Sequence, residues 1–331
     1  MSSDLLRRQY ESRRVLILGA SGFLGRWVAH TLARAGADLY LLGRSLERLR
    51  AIGRAFAFDG HYLEADLATA GAFARAFLQV RPDITFSLAA YGIDPGQRDE
   101  QLFQALNVRL LTELCAAITA TAPPSDWTGL RLVHAGSEAE YGDVAGPINE
   151  ESETAPLQNY ARSKLQGTRV VSAEVERRGL RGATVRLFRV YGPGERAGRL
   201  LPSLVAAARS GEPLALTRGE QQCDFTYVGD AAEGMARVGC IAGPVPGVIH
   251  VATGTLTSVR NFAECAAELL GMPASQLRFG ALPYRVGDPC HGPASIDRLK
   301  ELTGWAPPSS VRAGIRRALE FESMPAKAVS R

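Results

Sequence analysis

Tyr160 and Lys164 stand four residues apart in Tyr160-Ala161-Arg162-Ser163-Lys164. On a helix that spacing places both side chains on one face. A phenol titrates at about 10 and is a poor acid or base at neutral pH. An ammonium beside it stabilises the phenolate and draws that value down. Such a pair can hand a proton to an alcohol oxygen or take one from it. Ser137 follows the apolar run 130–134, and its hydroxyl is placed to hold the oxygen of a reacting carbinol beside Tyr160. Ser137, Tyr160 and Lys164 form the candidate catalytic set. Each has a plain alternative, because a Y-x-x-x-K spacing arises by chance and a serine after a strand is often a turn serine.

The elements that must position this set show a βα rhythm. Apolar runs at 15–18, 39–42, 84–88, 130–134 and 183–188 read as strands. Amphipathic segments at 25–35, 72–79, 102–119 and 160–178 read as helices. Alternation of this kind predicts an α/β fold, a Rossmann-type doubly wound parallel sheet. After Tyr191 glycine and proline become frequent and the alternation loosens, which predicts a smaller C-terminal substrate-binding domain. The expected layout is an NAD(P)-binding domain over 12–190, with chain returns near 225–253 from strands at 225–228 and 248–251. A substrate domain over 191–224 and 254–324 and a frayed tail over 325–331 complete it.

The first strand runs into Gly19-Ala20-Ser21-Gly22-Phe23-Leu24-Gly25. Gly19 permits a tight turn, Gly22 lets the backbone approach a pyrophosphate, and Gly25 lets the helix pack close to the strand. The free N–H groups and dipole of the helix start favour an anion there. The second strand ends in Gly43-Arg44, where an NAD-specific site usually carries an acid. A guanidinium suits a ribose 2′-phosphate, so NADP(H) is favoured and NAD(H) remains possible; the alternative is a solvated Arg44. Asp66, with Leu67, closes the next strand and either faces the adenine or caps the following helix. Leu88, Ala89 and Ala90 are small enough at their strand end for a cofactor to lie close. Asn107 is expected to hold a water or the Lys164 backbone, or else to be a polar helix position. The positive ring of an oxidised nicotinamide would further favour the Tyr160 phenolate.

Composition excludes several other classes. The net charge of +4 is spread along the 331 residues, with no basic run for a nucleic acid. The Arg-rich start lacks the apolar stretch of a secretory signal. No apolar run approaches the ~18 residues of a membrane span. Five cysteines, odd in number and never spaced C-x-x-C, read as reduced thiols. Neither they nor the histidines have metal-ligand spacing, so no metal is expected. A cytoplasmic enzyme is the resulting expectation.

Taken together these motifs resemble the extended short-chain dehydrogenase/reductase family, in its nucleotide-sugar epimerase/dehydratase/reductase branch. The resemblance spans residues 15 to 307. It adds Asn107-Val108, Tyr141-Gly142, Arg186, Val190-Tyr191-Gly192-Pro193, Asp224-Phe225-Thr226-Tyr227-Val228 with Asp230, Arg285-Val286-Gly287-Asp288 and Gly304-Trp305-Ala306-Pro307. It implies Ser137, Tyr160 and Lys164 as catalytic residues, and Arg285 gripping the diphosphate of a nucleotide-linked sugar. It also implies a homodimer through the helices at 102–119 and 160–178. By itself Arg285 is only a loop arginine. Two departures stand out: Cys223 where such enzymes carry arginine, and Arg189 where they carry asparagine. Arg189 is expected to supply the charge that Cys223 cannot.

The segment Ser137-Glu138-Ala139-Glu140-Tyr141-Gly142 bears on the reaction. The family's 4,6-dehydratases carry a glutamate base where this chain has Ala139, which disfavours dehydration. Glu138, beside it, is expected to point elsewhere, toward the substrate. The stretch is more similar to 4-keto-6-deoxy sugar reductases. An NADPH-dependent reductase of a nucleotide-linked 4-keto-6-deoxy sugar is therefore the first expectation. A nucleotide-sugar C4 epimerase is the second, a reductase of a non-sugar carbinol the third, and a catalytically silent NADP-binding regulator the fourth.

Overall fold

A computed structural model describes residues 2–92, 96–122, 125–243, 245, 247–284 and 291–323. The chain opens with helix α1 (Ser2–Tyr10), then alternates β1 (Arg14–Leu18), α2 (Phe23–Arg34), β2 (Asp38–Gly43), α3 (Leu46–Ala55), β3 (His61–Glu64), α4 (Ala74–Val80) and β4 (Ile84–Ser87). Next come α5 (Glu100–Gln104), a π turn (Ala105–Arg109), α6 (Leu110–Thr119), β5 (Leu132–Ser137), a 3₁₀ turn (Glu138–Glu140), α7 (Asn159–Arg178) and β6 (Gly182–Leu187). The remaining elements are β7 (Arg189–Tyr191), α8 (Leu200–Ser210), β8 (Leu214–Leu216), β9 (Gln222–Cys223), β10 (Phe225–Tyr227), α9 (Val228–Gly239), β11 (Val248–Val251), β12 (Thr257–Ser258), α10 (Val259–Leu270), β13 (Leu277–Phe279), α11 (Asp297–Thr303) and α12 (Val311–Ser323).

Seven strands form one parallel sheet in the order β11-β6-β5-β4-β1-β2-β3. The order reverses between β1 and β4, and the crevice at that switch point is where doubly wound sheets bind ligands. This is a Rossmann-like fold. Val15 and Ile17 of β1 point into one core layer with Trp27 and Val28 of α2. Leu16 and Leu18 point into the other with Phe77, Leu111 and Leu114. Buried on both faces, β1 reads as a continuous apolar run, as central parallel strands do.

Three expectations need adjusting. The helix expected over 102–119 is built from α5, the π turn and α6, with Asn107 inside the π turn. As a run, Glu100–Thr119 is long and apolar enough to cross a membrane. Leu110, Leu111, Leu114, Cys115 and Ile118 of that run are nevertheless buried in the protein core. The strand expected at 130–134 is β5, so Ser137 ends the strand rather than following it. The strand expected at 225–228 stays outside the main sheet and pairs in parallel with β7, whereas β11 joins the sheet edge.

Candidate active site

The glycine turn leaves room for a phosphate. Gly19 adopts a positive φ of 85°. A Cβ there would stand 2.7 Å from the Ala89 nitrogen and 3.0 Å from the Leu88 carbonyl carbon, so β1 and the end of β4 approach across bare backbone. A Cβ on Gly25 would stand 2.2 Å from the Gly19 oxygen. Gly22 caps α2 with no side-chain hydrogen bond, leaving the N–H groups of the first turn open to an anion. Ser21, Phe23 and Leu24 lie between these glycines. Leu88, Ala89 and Ala90 are half-buried at the end of β4, on the side of the same crevice. The groove thus fits a dinucleotide.

At the far end of the crevice Arg44 is exposed and makes no hydrogen bond or ion pair among the described residues. Arg26 and Arg48 lie close enough that the Arg48 charge lowers the Arg26 pKa, though burial lowers it more. Arg26 also donates to the backbone oxygens of Gly22 (3.1 Å) and Ser21 (3.1 Å). The adenosine end is therefore positive. Asp66 is exposed and its Oδ1 accepts the Ala68 N–H at 3.1 Å, a local turn bond; the next helix, α4, has Phe73 at its N-cap and no side-chain cap, so Asp66 does not cap it. Leu67 beside it is buried.

Ser137, Tyr160 and Lys164 meet where β5 ends against α7. The Ser137 Oγ accepts the Ala139 N–H at 3.2 Å, and the Ser137 N–H donates to Glu140 Oε1 at 2.9 Å. This capping box fixes the serine. Glu140 is fully buried and takes two more bonds at 2.9 Å, from Thr168 Oγ1 and Arg186 Nε. The Ser137 hydroxyl lies near enough to the Tyr160 phenol to lower its pKa; burial outweighs it and pushes that pKa up to about 12. Lys164 is buried, and burial lowers its pKa to about 8. Its Nζ donates to His134 Nε2 at 3.1 Å.

Asn107 clamps the loop after β4 to α7. Its Oδ1 accepts the Tyr91 N–H at 2.9 Å, and its Nδ2 donates to the Tyr91 oxygen at 2.9 Å and to Ser163 Oγ at 2.8 Å. Ser163 donates in turn to the Tyr160 oxygen at 2.8 Å. Asn107 therefore steadies the turn of helix that carries Tyr160 and Lys164.

A second group of charges adjoins Ser137. The Glu138 carboxylate lies 3.6 Å from Arg189 Nε and 3.3 Å from His291 Nε2. It is held by Arg189 and His291, and the expected compensating charge of Arg189 is spent partly on it. His291 went unnoticed in the sequence because no spacing links positions so far apart.

The model of the NAD dependent epimerase/dehydratase family matches residues 15–251. The chain belongs to this family. It is an NAD(P)-dependent oxidoreductase/epimerase of the extended short-chain dehydrogenase/reductase type. It is 29% identical over 318 residues to a dTDP-6-deoxy-L-talose 4-dehydrogenase (NAD(P)(+)) of Kitasatospora kifunensis, covering 94% of this chain and 96% of that one. It is 27% identical to a UDP-glucose 4-epimerase of Azospirillum brasilense, covering 94% and 92%. Among solved structures it matches MoeE5 in complex with UDP-glucuronic acid and NAD, at a TM-score of 0.78 and 25% identity over 93% of this chain and 98% of that one.

Two family motifs find structural roles. Asp224 is buried and accepts from the Thr253 N–H (2.8 Å), the Thr253 hydroxyl (2.8 Å) and the Gly254 N–H (2.7 Å), tying β10 to the turn after β11. Asp230 accepts from the Ser309 N–H (2.9 Å) and from Arg317 (2.8 Å). Cys223 is buried and lies in the β9–β12 pair. Arg285 and the Val286-Gly287-Asp288 that follow it lie outside the described residues.

Proposed function

We propose that this family member reduces the C4 ketone of a nucleotide-linked 4-keto-6-deoxy sugar, with NADPH favoured over NADH. The observation that carries the reading is the Ser137 hydroxyl set near the Tyr160 phenol at the end of β5, beside an Ala139 that has no proton to give or take. The glycine turn, Leu88, Ala89, Ala90 and Asn107 hold the dinucleotide, and Arg44 takes its 2′-phosphate with Arg26 and Arg48 near by. The bound nicotinamide supplies the hydride to C4. Ser137 holds the C4 oxygen, and Tyr160 protonates it as negative charge develops there. Lys164 grips the ribose and its ammonium steadies the phenolate left behind. Glu138, Arg189 and Arg285 contact the sugar nucleotide. The similarity to a 4-dehydrogenase of a 6-deoxy sugar supports C4 as the reacting carbon.

The test is a nucleotide-linked 4-keto-6-deoxy hexose offered with NADPH labelled with deuterium at the transferable position. Loss of one NADPH per product with deuterium at C4 supports the reading. A second reading, C4 epimerisation, draws on the likeness to UDP-glucose 4-epimerases. It uses the same residues but returns the hydride to the carbon, so no cofactor is consumed. The same reading includes a homodimer through α6 and α7.

A further inference from the structure

Strand β5 alternates between the two core layers, with Leu132 in one and Val133 in the other. His134 shares the face of Leu132, which packs under α6 and α7. An aliphatic residue is the ordinary occupant of such a site, since a buried imidazole costs stability unless it is hydrogen-bonded. Here the imidazole is 1% exposed and Lys164 is 2% exposed. Their contact, Nζ to Nε2 at 3.1 Å, is the one hydrogen bond of the Lys164 side chain among the described residues. An ammonium has only donors, so His134 must accept, and Nε2 must be unprotonated. The proton then sits on Nδ1, which lies toward the Ser87 backbone without a well-formed hydrogen bond. Close packing keeps the arrangement in place. A Cβ on Gly167, one turn beyond Lys164, would come within 2.5 Å of the Asn107 oxygen and 3.6 Å of His134 Nε2.

We propose that His134 is a positioning residue for Lys164: its neutral imidazole accepts a hydrogen bond from the ammonium inside the fold and holds it ready for the cofactor ribose. This rests on the reading above that Lys164 grips that ribose. A lysine side chain is long and flexible, and ordering it opposes binding. A lysine already held on His134 has lost much of that freedom before the cofactor arrives, and two of its three N–H donors stay available. The charged and titratable groups around Lys164 are His134 from β5, Glu140 from the 3₁₀ turn and Tyr160 from its own helix. Glu140 favours the ammonium, whereas protonation of His134 would set two cations 3.1 Å apart. Burial and the Lys164 charge both keep His134 neutral.

Titration with NADPH followed by nicotinamide fluorescence tests this in four proteins. Lys164→Ala, through the lost grip itself, weakens binding. His134→Leu, which fills the space but accepts nothing, weakens it roughly tenfold, the effect of a side chain no longer ordered in advance. It also moves the alkaline fall-off of binding to lower pH, because the buried ammonium has lost its acceptor. His134→Gln, which retains an acceptor, restores both affinity and pH profile toward those of the unaltered protein. Weak binding in Lys164→Ala with unaltered affinity and pH profile in His134→Leu would overturn the inference. Unaltered binding in Lys164→Ala would instead overturn the assigned role of Lys164. Should His134→Leu fail to fold, ¹⁵N spectra of histidine-labelled unaltered protein decide the matter, with His134→Gln assigning the signal. The expected form is neutral with the proton on Nδ1, and a proton on Nε2 would overturn the inference.

Discussion

A phenol with its pKa pushed up to about 12 is protonated throughout the neutral range. Tyr160 is thus ready to give a proton and poorly placed to accept one. Ketone reduction is expected to vary little from pH 6 to 8, well below the pH at which such an acid loses its proton. Alcohol oxidation, which needs the phenolate, should rise with pH over the same range. Initial rates in both directions check the contrast, and equal pH profiles would count against Tyr160 as the acid. Tyr160→Phe keeps the ring and removes the proton, so turnover should fall on the order of 10²–10⁴ while cofactor binding persists. Arg44 makes its own forecast. A charge-assisted bond to the 2′-phosphate predicts NADPH binding roughly ten- to a hundredfold tighter than NADH. Arg44→Asp should reverse that order in a titration of both cofactors.

The elements show why parts of this site were legible in the sequence and others were not. The glycine turn and the Tyr160/Lys164 spacing depend on contacts within one turn of chain, and local spacing reports them directly. The Ser137/Glu140 spacing of the capping box is equally local, but it went unread in the sequence. The other bonds of Glu140 could not be read there, since Thr168 and Arg186 come from α7 and β6 and meet Glu140 only through sheet order. His134 looked like an ordinary strand end, and only the packing of α7 on β5 gives it a partner. The π turn left no mark in the apolar periodicity. Glu140→Ala would leave Arg186 buried without its counter-charge, with an expected cost of about 3–5 kcal/mol. Denaturant unfolding measures this, and a cost below about 1 kcal/mol, the level of an exposed pair, would contradict it.

At the scale of the whole molecule, the first and last described helices, α1 and α12, both bond to α9. Tyr10 of α1 donates to the Ala236 oxygen at 2.8 Å, and Arg317 of α12 reaches Asp230 at 2.8 Å. The Rossmann sheet and the later segments share one core cluster, in which Trp27 of α2 packs on Phe321 of α12 at 4.8 Å between ring centroids. The composition change after Tyr191 therefore marks a change of pattern within a shared core. In solution the protein is expected to run as a dimer, and sedimentation equilibrium would show a monomer if the proposed α6/α7 interface does not form.

The central claim is a C4 ketone reduction that consumes its cofactor. The most direct measurement follows NADPH absorbance while a nucleotide-linked 4-keto-6-deoxy hexose is converted, with deuterium carried on the cofactor. The account predicts one NADPH lost per product and deuterium at C4. Conversion of a saturated nucleotide hexose to its C4 epimer without added cofactor, with the keto sugar left untouched, would contradict it.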